Sequence, residues 1–248
     1  MNDQNLEQKI AYLKKNIAFL PKEVKENYES SFMVHFTHHS TAIEGNTLTL
    51  QQTKLVMEDG ISVGGKSLRE IYEVVNHRKA FQYCGECLNN KIPLDEKIVK
   101  ELHALLMENI LEGGIYRSVD VSISGSEVNP PSPNKVYSEI KLFYDDLQNK
   151  QFQNELELAA FTHLEFVRIH PFVDGNGRTA RMMMNYQLLS KGLLPIAISN
   201  DTREEYINSI QSYILHQDIR PFLKIIGDLE ETQINYYMKA IEDTKRNG

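Results

Sequence analysis

His170-Pro171-Phe172-Val173-Asp174-Gly175-Asn176-Gly177-Arg178-Thr179-Ala180-Arg181 breaks a run of helical sequence and carries most of the chain's chemistry. Pro171 disfavours helix at the residue before it, so the apolar periodicity of Glu155 to Ile169 ends with the His170 imidazole at its rim. Gly175-Asn176-Gly177 then opens a new helix. Glycine lets backbone approach a ligand closely, and the open N–H groups of a helix start favour phosphate. Arg178 and Arg181 lie one helical turn apart, so they share a face and can both address a polyphosphate. Asp174 is placed to hold a divalent ion bridging phosphate oxygens. His170, whose ordinary pKa is near neutrality, can take a proton from a hydroxyl. A glycine-capped loop with two solvated arginines needs no such combination, and together these groups point to a nucleotide site.

Outward from this segment, period-3.6 patterns dominate. Leu6, Ile10, Leu13 and Ile17 mark a first helix, and Pro21 separates it from a second. The second carries Val24, Tyr28, Phe32 and Phe36, runs toward Glu44 and stops at Gly45-Asn46. Thr47-Leu48-Thr49 leads into another helix, 60–65 is a loop, and a long helix runs from about Ser67 to Leu88. Pro93-Leu94-Asp95 opens the next, which ends at Gly113-Gly114. Ile115 to Val121 alternates and is β-branched, ahead of Gly125 and Pro130-Pro131-Ser132-Pro133, and it is predicted to form a short hairpin. Helical patterning resumes near Asn134, and Met182-Met183-Met184 reads as helix packing. The predicted fold is all-α, a single domain with a small β-hairpin and an N-terminal helical extension.

Composition sets the outer bounds. The 248 residues are 41% apolar and 25% charged, ordinary values for a globular domain with its own core. A net charge of −7 argues against a wholly basic nucleic-acid-binding surface. No apolar run is long enough to span a bilayer, and Met1 to Asn5 lacks the start of a signal peptide. Cys84 and Cys87 form a lone CxxC with neither further zinc ligands nor a thioredoxin-like context, so they read as half-buried thiols. A reduced, cytoplasmic protein is expected. His35, His38 and His39 lack the HExxH pattern of a zinc site, and His163 is expected to pack in the core.

The segment 170–181 resembles the Fic family motif, HxFx(D/E)GNGRxxR, at every specified position, and a looser likeness runs from about residue 35 to residue 225. Fic proteins are all-α domains that mostly transfer AMP from ATP to a Ser, Thr or Tyr hydroxyl of a target protein. The resemblance implies that His170 is the base, that Asp174 holds Mg2+, and that Gly175, Asn176 and Gly177 surround the α-phosphate. It assigns Arg178 and Arg181 to the β- and γ-phosphates. Relatives that phosphorylate their target carry Lys where this chain has Gly177, so Gly177 favours nucleotidyl transfer. Tyr206 and Tyr213 sit where relatives place adenine-pocket residues, and Val121, Ser122, Ile123 and Ser124 where they place the flap that clamps the target.

Ser40-Thr41-Ala42-Ile43-Glu44-Gly45-Asn46 resembles the family's inhibitory motif, (S/T)xxxE(G/N), in the subgroup that carries its inhibitory helix ahead of the core. By that likeness Glu44, with Ser40 on the same helix, pairs with Arg181 and denies the γ-phosphate its seat. A carboxylate at the end of a helix also faces the negative end of the dipole and wants a cation. In some relatives the same glutamate orients a water that reverses the modification, and the resemblance leaves that reaction open.

The domains implied are an N-terminal helical extension (1–34), a Fic domain (35–225) that includes the inhibitory helix at about 35–45, and a C-terminal helix (226–248). Partners implied are ATP and an unidentified target protein, with self-modification expected and a homo-oligomer left open. Many relatives add a DNA-binding domain after the core; 226–248 is too short for one, so no direct nucleic-acid binding is expected. The alternative reading is a nucleotide-sensing binding module without transfer activity, which would have no use for a base at His170.

Overall fold

The computed structural model describes residues 3–122 and 129–247 and is built from α1 (Asp3–Asn16), α2 (Lys22–Ala42), α3 (Leu50–Lys54), α4 (Leu68–Asn89) and α5 (Glu96–Met107). It continues with α6 (Pro133–Asn149), α7 (Glu155–Ile169), α8 (Asn176–Ser190), α9 (Arg203–His216) and α10 (Arg220–Asn247). Helix starts follow capping chemistry. Thr49 and Ser67 each accept from the N3 backbone while Gln52 and Glu70 reach back, so α3 and α4 open on capping boxes. Asp95 and Asn154 cap α5 and α7. The box at Ser67 matters for function, because it fixes the first turn of α4, which carries Arg69 and Glu73 toward the motif loop.

The centre of the fold is α7 packed on α8, joined by residues 170–175. Both helices are buried nearly all round; α7 is mostly apolar, whereas α8 carries buried polar groups, Arg178 and Arg181 among them. Met182, Met183 and Met184 are fully buried core, as their pattern suggested. Around them lie α4, α5, α6, α9 and α10, and α1 packs on α10. Leu6 and Leu13 of α1 belong to the same apolar cluster as Ile234 and Ile241 of α10. A smaller cluster of Val34, Leu48, Val56, Met57 and Val74 pins the segment after α2 onto α3 and α4.

The hairpin expected around 121–133 is not seen: among the described residues there are no strands. Ile115 to Val121 runs irregularly because its polar groups are claimed by loops. Arg117 N donates to Pro171 O at 2.9 Å, and the Arg117 guanidinium donates to the carbonyls of His170, Val119 and Pro131. Ile123 and Ser124 lie outside the described residues. Cys84 and Cys87 are free and fully buried rather than half-buried, and burial pushes the Cys84 thiol pKa up. No helix among the described residues is long and apolar enough to cross a membrane.

Candidate active site

His170 ends α7 in the left-handed region, at φ 50° and ψ 59°, which a non-glycine residue adopts only when its surroundings impose it. Two contacts do so here. Arg117 Nε donates to His170 O at 2.7 Å, and the His170 ring places Nδ1 3.2 Å from Val167 O. A carbonyl can only accept, so Nδ1 carries the proton and Nε2 keeps its lone pair. Burial lowers the His170 pKa below its ordinary 6.5, against smaller opposing effects from Val167 O and Glu44, so the ring is neutral at pH 7.

The loop behind it is clamped by groups the chain supplies from a distance. Asn176 is 2% exposed and brackets Phe172, accepting from Phe172 N and donating to Phe172 O, each at 2.9 Å. Its side chain therefore shapes the loop. His103 of α5 stacks on Phe172 with ring centroids 3.6 Å apart, accepts from Gly114 N and donates Nε2–H to Asp174 O at 2.9 Å. Burial drives the His103 pKa down to about 4, which keeps it neutral in this role.

Gly175 sits at φ +76°, and a Cβ there would come within 2.7 Å of Met107 Sδ. Gly175→Ala is accordingly expected to cost about 2–3 kcal/mol and to lower Tm by about 5–10 °C. Thermal denaturation checks this, and an unchanged Tm would contradict it.

Gly175 offers no side chain to cap α8, so the first-turn N–H groups of that helix have no side-chain acceptor. Gly177 lies just inside that turn. Asp174 precedes it and is half-buried. Burial works against its charge, but Arg178, Gly175 N and Arg69 outweigh it and hold the carboxyl below its ordinary pKa. Among the described residues no three His, Cys, Asp or Glu side chains cluster to hold a metal. One carboxylate lining a cleft is nevertheless the donor set that suits Mg2+, which keeps most of its shell for water and substrate phosphates. Asp174 fits that role.

Arg181 is 1% exposed and all three nitrogens of its guanidinium donate hydrogen bonds. Nε donates to Ser40 Oγ at 2.9 Å, Nη2 to Ser40 O at 2.8 Å and to Glu44 Oε1 at 2.7 Å, and Nη1 to Tyr206 OH at 3.1 Å. Burial disfavours the charge, and the neighbouring Tyr206 and Glu44 more than offset it, so Arg181 stays cationic. Glu44 is delivered by a Schellman turn. Asn46 N reaches Thr41 O, Gly45 N reaches Ala42 O, and Gly45 takes φ +101°. Arg203 Nε caps the same turn through Ile43 O at 2.9 Å. The Glu44 carboxylate also lies against the start of α8, since a Cβ on Gly177 would clash with Glu44 Oε1.

His170, Asp174, Gly175, Asn176, Gly177, Arg181, Glu44, Tyr206 and Ser122 line one cleft of about 220 Å³, with Ile207 and Ile210 on its apolar side. Other expected site residues lie outside the cleft or face it differently from expectation. Arg178, 1% exposed, turns away toward Glu73 and Asp174. Tyr213 is buried and donates to Glu165 Oε2, and Val121 is not among the lining residues. Tyr206 is 2% exposed and tied by its hydroxyl to Arg181 and to buried His163, a position beneath the arginine and not one that leaves its ring open to a base. Sequence reasoning missed His103, Arg117, Arg69, Glu73 and Arg203, each of which reaches the site from another element.

Residues 93–188 match the Fic/DOC family. Protein adenylyltransferase Fic of Drosophila grimshawi is 35% identical over 215 residues, covering 84% of this chain and 44% of that protein. The protein of the same name in Nematostella vectensis is 35% identical over 222 residues, covering 88% and 51%. The chain thus spans about half the length of the curated relatives it matches. A Fic domain containing signaling protein from Bacteroides thetaiotaomicron shares the fold at a TM-score of 0.85 and 26% identity, over 98% of this chain and 97% of that one. A glutamate-to-glycine variant of a Fic-1 fragment from C. elegans matches at a TM-score of 0.81 and 30% identity, over 96% and 72%. With the motif loop, the uncapped helix start and the buried arginine in one cleft, the chain belongs to the Fic/DOC family.

Proposed function

We propose that this chain is a protein adenylyltransferase that moves AMP from ATP to a hydroxyl of a target protein, its own surface included, and that Glu44 restrains it. Residues 35–225 form the catalytic unit in this reading. The observation that carries it is His170, its Nδ1 turned to Val167 O and so its Nε2 left for a substrate, sharing a cleft with the uncapped start of α8 and the buried Arg181. His170 Nε2 takes the proton of the target hydroxyl as its oxygen bonds to the α-phosphorus, and pyrophosphate leaves with the breaking P–O bond. The first-turn N–H groups at Gly177 face the charge that develops on the α-phosphate. Arg181 seats the γ-phosphate. Asp174 would hold Mg2+, which when bound supplies charge neutralisation for the polyphosphate.

Glu44 opposes this in two ways. Its carboxylate occupies Arg181, and it lies against Gly177 where the phosphate would approach. The activity is tested with Glu44→Gly protein and ATP labelled on either the α- or the γ-phosphate. Protein-bound label from the α-position alone supports nucleotidyl transfer, and label from the γ-position overturns it.

The lowered His170 pKa fixes a pH dependence. The base acts in its neutral form, so transfer is expected to be flat above pH 7 and to fall as pH drops, with an apparent pKa below 6.5. A rate–pH profile of the Glu44→Gly protein checks it, and a midpoint above 6.5 would contradict the assignment.

A further inference from the structure

We propose that Arg69 is a positioning residue that occupies the metal ligand Asp174 and must leave it before a divalent cation can bind. The inference rests on the reading of Asp174 given above and adds a second restraint, on the metal side of the site, at atoms that Glu44 does not touch.

Four charges form a closed ring beside the motif loop. Arg69 Nη2 donates to Asp174 Oδ2, and Arg178 Nη2 donates to Asp174 Oδ1 at 3.2 Å. Glu73 completes the ring, with Oε1 3.2 Å from Arg69 Nε and 3.5 Å from Arg178 Nη1. Both oxygens of Asp174 are therefore taken, and they are not equivalent. Oδ1 also accepts from Gly175 N inside the motif loop, and Arg178 is 1% exposed and rooted in α8. Those contacts belong to the folded core. Among the described residues Oδ2 is held only by Arg69, whose side chain is 55% exposed on the first turn of α4.

Arg69 is thus the member of the ring that can move. It can release Asp174 while keeping Glu73, one helical turn along its own helix. Glu73 itself is fixed, because Asn46 Nδ2 donates to Glu73 Oε2 at 2.9 Å and to Glu70 O at 3.0 Å. A cation at this distance repels an incoming Mg2+ and competes for its ligand. The half-exposed setting moderates the effect by solvent screening. Removing it is expected to tighten metal-dependent binding about fivefold.

The test measures the dissociation constant of a non-transferable α,β-methylene ATP in EDTA and in saturating Mg2+, by calorimetry, on Glu44→Gly protein. The ratio of the two constants reports the coupling of metal to nucleotide through the protein. Arg69→Gln in that background is expected to tighten binding in Mg2+ about fivefold with little change in EDTA, and Arg69→Lys by less. Asp174→Asn is expected to collapse the ratio and to abolish any further effect of Arg69→Gln. If Asp174→Asn lowers the ratio but Arg69→Gln leaves binding in Mg2+ unchanged or weaker, Arg69 does not restrain the ligand. A ratio indifferent to Asp174 would remove the metal reading itself, and this inference with it. Arg69 is a surface residue, so its variants keep the fold, and thermal denaturation verifies that.

Discussion

Replacing Glu44 by Gly is expected to raise protein labelling by ATP about 100-fold. Arg181 is a buried cation whose contact with Glu44 Oε1 is 2.7 Å long, and the Glu44 side chain is 36% exposed. A charge-assisted hydrogen bond in such a place is worth about 1.5–3 kcal/mol net. At about 1.4 kcal/mol per decade, the upper part of that range holds the site closed by about two decades. A binding-competent state that is populated so rarely weakens apparent ATP affinity by the same factor. The substitution also removes the carboxylate that lies against Gly177. Nucleotide affinity should therefore rise with the labelling rate. Glu44→Gln, which keeps a hydrogen-bond acceptor but loses the charge, should fall between. Unchanged affinity in Glu44→Gly would contradict the restraint.

The second large effect concerns His170. In the Glu44→Gly background, His170→Ala is expected to lower the transfer rate by about 10³-fold or more, the scale of general-base catalysis. ATP affinity should stay within about twofold, an estimate that rests on the base acting on the target hydroxyl and not on the nucleotide. His170 holds a left-handed backbone conformation at φ 50°, so Ala carries a conformational cost there as well. Asn tolerates that region better, and His170→Asn separates loss of the base from loss of the turn. Both variants should be inactive and both should bind ATP. A nucleotide sensor would show no loss of function in either, which makes this the experiment that divides the two classes of activity.

What the sequence made legible was local. Pro171 ends α7, Gly175 and Gly177 open α8, and Gly45 turns the chain after Glu44; each follows from the conformational limits of one or two residue types. The pairing of Glu44 with Arg181 was readable only through the likeness to a known motif, since the two lie 137 residues apart. Other placements likewise depend on distant partners. Arg178 and Arg181 share a helix face by spacing, yet Arg178 packs against Glu73 and Asp174 and does not itself line the cleft. Tyr213 turns to Glu165. The alternation from Ile115 to Val121 looked like a strand, but Arg117 ties that stretch to the motif loop. Periodicity records which side chains are buried; it does not record which distant polar group they meet.

The central claim is that this cleft transfers AMP and that Glu44 withholds it. Intact-mass spectrometry of three proteins after incubation with ATP and Mg2+ tests it most directly: the unsubstituted chain, Glu44→Gly, and Glu44→Gly combined with His170→Asn. The account predicts added mass in steps of one AMP on Glu44→Gly, far less on the unsubstituted chain and none on the double variant. Steps of one phosphate, equal modification with and without Glu44, or modification that survives loss of His170 would each contradict it.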